Sequence, residues 1–132
     1  MKLRSILLGA AALAMLSATA ALAADYAGGA IKTMDIGGKE VLTDANGMTL
    51  YTFDKDTAGV SNCYDKCAEN WPPLFADTGA AAEGEFTLVT RTDGTVMWAY
   101  DGKPLYLWIK DKKPGDTTGD GVNGVWHTAI DD

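Results

Sequence analysis

Asn46-Gly47-Met48-Thr49-Leu50-Tyr51-Thr52-Phe53-Asp54-Lys55-Asp56 and Asp101-Gly102-Lys103-Pro104-Leu105-Tyr106-Leu107-Trp108-Ile109-Lys110-Asp111 are one stretch written twice, 55 residues apart. Gly, Leu, Tyr, Lys and Asp match outright, Asn stands for Asp, and Phe for Trp. The same shift pairs Val41 with Val96 and Trp71 with Trp126 without a gap. A fixed offset of this kind marks a chain built of two related units. The halves run over about residues 31–78 and 86–131, and Ala80-Ala81-Ala82-Glu83-Gly84 links them.

Each half reads as strand, tight turn, strand. Lys39 to Thr43, Thr49 to Phe53, Thr95 to Tyr100 and Leu105 to Ile109 are rich in β-formers. Asn46-Gly47 and Asp101-Gly102 stand between them, and such pairs tolerate positive φ at both centres of a hairpin turn. Further strands are predicted at Glu85 to Thr90, before an Asp93-Gly94 turn, and at Val125 to Ile130. Alternation puts Leu50 on one face and Tyr51 with Phe53 on the other, and Leu105, Tyr106 and Trp108 follow the same pattern. A sheet with large side chains on both faces is covered on both sides. The expected fold is all-β, a small sandwich or barrel of two pseudo-symmetric hairpin repeats related by an approximate two-fold axis. One short helix is predicted from Asn62 to Asn70, capped by Asn62, helped by Asp65 and stopped by Pro72-Pro73.

The first residues give the chain an address. Met1-Lys2-Leu3-Arg4 is a basic start, Ile6 to Leu16 is apolar, and Ala21-Leu22-Ala23 presents small residues before a cut. That order predicts a secretion signal over residues 1–23, removed after Ala23. No Cys lies near the cut to accept a lipid and no later run approaches the ~20 apolar residues of a membrane span, so no stable membrane anchor is expected. The product is one domain, residues 24–132, expected to be a periplasmic or secreted monomer. Losing Lys2 and Arg4 leaves 9 basic and 18 acidic residues, a charge of about −9. An acidic surface argues against nucleic acid and fits a basic protein partner, a cation or plain solubility.

Tyr51-x-Phe53-x-x-Asp56 and Tyr106-x-Trp108-x-x-Asp111 share one pattern: Tyr, any, aromatic, any, any, Asp. With Cys63-x-x-x-Cys67-x-x-x-Trp71-Pro72-Pro73-Leu74 and the loop from Pro114-Gly115-Asp116 to Gly124-Val125-Trp126, the chain resembles the bacterial secreted-repeat family. Its members carry the label of predicted lipoproteins with a Y-x-[FWY]-x-x-D motif. The resemblance implies export and tandem repeats and no established activity. The missing acceptor Cys departs from the lipoprotein label.

Cys63 and Cys67, four apart, read first as a disulfide in an exported protein. A redox-active dithiol or a soft-metal site are the alternatives, although the thioredoxin spacing and the haem-attachment histidine are both missing. His127, Met34, Met48 and Met97 bring imidazole and thioether, the ligand types that suit copper, but without ligand spacing. Asp111, Asp116, Asp120 and Asn123 fall among glycines without the spacing of a calcium loop. Ser61 and His127 lie in no nucleophile motif, so no catalytic residue is assigned and an enzyme is not expected. The repeated Tyr, aromatic and Asp residues are read as core rings and turn-capping carboxylates, or as a groove for a ligand. The leading functional reading is an exported, non-enzymatic binding or interaction module without a cofactor, its partner a cell-envelope protein or a small ligand. The alternative is a periplasmic copper or electron-transfer accessory protein.

Overall fold

Gly37 and Gly38, both at positive φ, turn β2 (Ile31–Ile36) back onto β3 (Lys39–Asp44) in a two-residue loop. The computed structural model describes residues 24–131, and the expected secretion signal at residues 1–23 lies outside them. In the second half the matching hairpin joins β5 (Phe86–Thr90) to β6 (Val96–Tyr100) around Asp93-Gly94. Asp101 and Gly102, both at positive φ, then turn β6 onto the short β7 (Lys103–Pro104). β1 (Asp25–Tyr26) completes the first three-stranded sheet by pairing with β2. β4 (Tyr51–Phe53) pairs with β8 (Trp126–Thr128) as a separate two-stranded ladder. The expected all-β architecture of two hairpin repeats is therefore present, in three small sheets. No helix among the described residues is long and apolar enough to cross a membrane.

Several local expectations need correction. The strands after Asn46-Gly47 and Asp101-Gly102 barely pair with the strands before them. Thr43 and Thr49 form a single bridge, and the chain then crosses to the other half. Asn46 lacks the expected positive φ, because Asp44 holds a wider turn: its carboxylate accepts the amides of Asn46 and Met48, and only Gly47 is left-handed. Leu105 to Ile109 is not a regular strand, although Leu107 and Ile109 donate to the carbonyls of Pro72 and Asn70. The opposing segment contains Pro72 and Pro73, which have no N–H to return, so the ladder is one-sided. At the equivalent positions the first half meets His127 and Thr128, which can donate, and there β4 and β8 form.

The helix is also shorter than expected. α1 covers Lys66–Asn70 only, and Asp65, at φ 55°, supplies no side-chain cap. Asn62 caps nothing; its amide donates to Asp56 and its side chain to the Lys55 carbonyl, which keeps residues 61–64 out of the helix. The helix ends at Trp71, before Pro72, as the proline rule requires.

The interior divides by face. Ile31, Leu42, Leu50, Phe86, Trp98 and Leu105 fill one cluster, while Tyr51, Trp71, Val89, Met97, Tyr106 and Trp126 fill another. Leu50 and Leu105 are equally inaccessible, as are Tyr51 and Tyr106. Successive residues of one motif thus anchor two different cores.

Candidate functional site

The motif lies where the halves meet. The Tyr51 amide donates to the Tyr106 carbonyl at 2.8 Å, and the Tyr106 amide donates to the Tyr51 carbonyl at 2.9 Å. Reciprocal bonds between equivalent residues place a pseudo-two-fold axis between them. The same exchange continues outward: Ala129 donates to Leu50 as Leu74 donates to Leu105, and Asp54 to Val125 as Ile109 to Asn70. Each half therefore contributes its final segment to the other.

The side chains are crossed in the same sense. Tyr51 Oη donates to Asp111 Oδ2 at 2.7 Å, and Tyr106 Oη donates to Asp56 Oδ2 at 2.7 Å. The second oxygen of each carboxylate closes its own loop, Asp56 on the Asn62 amide and Asp111 on the amide and hydroxyl of Thr118. The turn-capping role read from sequence is present; the bond across the axis is not visible from one repeat alone. Burial first, then the Asp111 carboxylate, pushes the Tyr51 hydroxyl far above the usual tyrosine range. Burial does the same for Tyr106, with the Ser61 contact opposing it. Asp56 is pushed up by burial, against the pull of its Tyr106 bond.

The aromatic positions of the motif frame a four-ring stack. Phe53 lies on Trp126 at 4.2 Å, Trp126 on Trp71 at 3.7 Å, and Trp71 on Trp108 at 3.9 Å between centroids. The central pair is parallel within 1° and straddles the axis, and Tyr51 and Tyr106 meet it edge-on. Gly119 is needed here, because a Cβ at that position would lie 2.8 Å from the Trp71 ring. This stack is a finding of the tertiary structure: Trp71 and Trp126 were visible as repeat mates, but not as neighbours.

Behind Tyr106 lies a buried polar chain. Ser61 Oγ sits 2.6 Å from Tyr106 Oη and accepts from Arg91 Nη1 at 2.8 Å. Arg91 Nη2 donates to the Cys63 carbonyl, its guanidinium lies over the Tyr64 ring, and Nε has no partner. Sequence reading passed over Arg91, which interrupts no pattern. Cys63 and Cys67 are joined as a disulfide with Cα atoms 5.2 Å apart, and the closed loop fixes the carbonyl that Arg91 uses.

The copper candidates fall in separate surroundings. Met97 is buried with its sulfur beside Arg91 Nη1, Met34 lies against Gly47 and Gly115, and Met48 follows that turn half-buried. His127 is exposed on β8, its Nε2 2.8 Å from Asp54 Oδ2. Asp116 bonds the Lys112 and Lys113 amides and the Lys113 ammonium, and Asp120 accepts from the Thr128 amide. Among the described residues, no group of three or more His, Cys, Asp or Glu side chains is placed to hold a metal ion.

The His127–Asp54 pair stands on the wall of a groove of about 470 Å³. The groove runs from β4 and Asp56 to the Asp101-Gly102 turn and Lys103, with Asp54, Asp56 and Asp101 as its carboxylates.

Reciprocal pairing of this kind defines a class: a two-repeat β module whose halves are locked together by their own shared motif. The chain belongs to the family described as a secreted repeat of unknown function, which matches residues 32–75 and 87–130. The two matched segments take in the paired hairpins and the segments they exchange. Neither the curated proteins nor the solved structures contain a match.

Proposed function

We propose that this protein is an exported, non-enzymatic interaction module of the cell envelope, which engages a basic segment of a protein partner in the Asp54–Asp101 groove. One observation carries the reading: the motif's polar chemistry is turned inward. The hydroxyls of Tyr51 and Tyr106 are bonded to Asp111 and Asp56 across the axis and are held as poor acids. The Asp54–Asp101 groove, by contrast, presents acidic groups to solvent: it is lined by Asp54, Asp56 and Asp101 against one lysine and one histidine, with Asp54 and Asp101 exposed. On a chain whose exported form carries about −9, cationic partners are drawn and anionic ones repelled at long range.

A photo-reactive amino acid at Thr57, on the groove wall, tests this in cells that export the protein. The expected product is a salt-sensitive adduct with an envelope protein, lost in Asp54→Asn/Asp101→Asn. An adduct indifferent to those substitutions would sink the groove assignment. Turnover of ester, glycoside, peptide or phosphate substrates that vanishes in His127→Ala would sink the non-enzymatic reading. Export itself predicts an intact mass beginning at Ala24 without added lipid.

A further inference from the structure

The duplicated stretch contains one charged residue that the crossed interface does not use. Lys55 and Lys110 occupy the same repeat position, both are exposed, and neither forms an ion pair among the described residues. Duplication without a structural role directs attention to what these lysines face. Lys110 Nζ lies 5.8 Å from the centroid of the Trp108 ring, at one end of the aromatic stack. At the other end Lys55 borders a second groove, of about 460 Å³, walled by Phe53 and the edge of Trp126.

That groove differs in charge from the Asp54–Asp101 groove. Its only charged lining residues are Lys55 and Lys66, on a protein with twice as many acidic as basic residues in its exported form. Lys66 is also exposed and unpaired among the described residues. Asn70 and Asn123 add amide groups able to donate or accept. The equivalent of Lys66 in the second half is Gly121, so only the first half brings two ammonium groups to an aromatic wall. Two cations, two amides and the edges of stacked rings are complementary to a small aromatic anion. Its ring gains by edge-to-face contact with Phe53 and Trp126, and its charge by attraction to two exposed lysines.

We infer that this groove is a binding site for a small aromatic carboxylate, with the ring along Phe53 and Trp126 and the carboxylate between Lys55 and Lys66. This deepens the reading of the protein as a binding module while using a different groove, so the two can fail separately: loss of the cross-link at Thr57 leaves this site untouched.

The probe is benzoate, titrated into the mature chain and followed by amide-proton NMR, with neutral benzamide as comparison. Saturable shifts at the Trp126 indole and at the Asn70 and Asn123 side chains are expected, with benzamide weaker. Lys55→Gln and Lys66→Gln should each weaken benzoate by roughly fivefold, the effect of one exposed charge pair, and the double variant should lose binding. Lys112→Gln, on the far loop, should leave the titration unchanged. Absence of saturation, shifts centred elsewhere, equal affinity for benzamide, or indifference to both lysine substitutions would each overturn the assignment.

Discussion

Replacing Tyr51 by Phe removes one oxygen atom from the centre of the molecule, and the structure says what that oxygen holds. Tyr51 is fully buried, its hydroxyl donates to Asp111 Oδ2 at 2.7 Å, and it accepts from the Gly119 amide at 3.2 Å. A bond to a charged acceptor contributes about 1.5–3 kcal/mol, and a buried donor left without a partner costs about 1–3 kcal/mol. Asp111 keeps both Thr118 bonds, which softens the first loss. A total near 3 kcal/mol follows, or roughly 12–20 °C in Tm for a domain of this size. Tyr106→Phe is the internal control. Its carboxylate partner Asp56 is only half-buried and keeps the Asn62 amide, and Ser61 keeps Arg91, so about 2 kcal/mol is expected. Urea unfolding of both variants, of Asp111→Asn and of Tyr51→Phe/Asp111→Asn reads the difference and the pairwise coupling. A Tyr51→Phe loss below about 0.5 kcal/mol, or a larger loss in Tyr106→Phe, would refute the view that the crossed Tyr–Asp bonds lock the halves.

Gly119→Ala should destabilise by about 1–3 kcal/mol or more, because its Cβ meets the rigid Trp71 and Trp108 rings at 2.8 and 3.0 Å; urea midpoints check this, and near-ultraviolet circular dichroism should report a disturbed indole stack. Cys63→Ser/Cys67→Ser should cost about 2 kcal/mol for the small loop released, with the far-ultraviolet β spectrum retained and no free thiol in the parent protein. Asp116 is held below its ordinary value, first by its Lys113 bond and then by the Lys112 amide, so its contribution is complete at neutral pH and is lost as pH falls through that depressed value. Asp56 has the opposite sign: its raised value makes the ionised form costly at neutral pH, a cost relieved as pH falls toward the ordinary carboxylate range. Unfolding midpoints at neutral and strongly acid pH should therefore differ less in Asp116→Asn than in the parent protein.

The repeat offset carried more fold information than local propensity did. Glu85 to Thr90 was readable as a strand from its β-formers, and the 55-residue shift maps it onto Ala30 to Asp35, where β2 runs from Ile31 to Ile36. The offset locates that strand but not its turn: it maps Asp93-Gly94 onto Gly38-Lys39, whereas the first hairpin closes more tightly at Gly37-Gly38. Leu105 to Ile109 shows the reverse case. Its residues favour a strand, but strand formation needs donors on the facing chain, and those positions are Pro72 and Pro73. Asn62 misled for a similar reason: the side chain suited to capping is already engaged by the Lys55 carbonyl, seven residues earlier in the chain.

By itself the sequence determined that there are two related halves, that Leu50 and Leu105 face one interior and Tyr51 and Tyr106 another, and that the cysteine pair belongs to the first half alone; that the pair is a disulfide is seen in the structure. These follow from spacing, alternation and side-chain type, which are properties of a chain read along its length. Only the tertiary structure decided that each half completes the other. Asp56 serves Tyr106 and Asp111 serves Tyr51, and Phe53 stacks on Trp126 while Trp108 stacks on Trp71. A repeated motif is equally consistent with bonds inside each copy and bonds between copies. The choice rests on the crossing at the axis, where the paired Tyr51 and Tyr106 backbones bring each half's ring and carboxylate within reach of the other's.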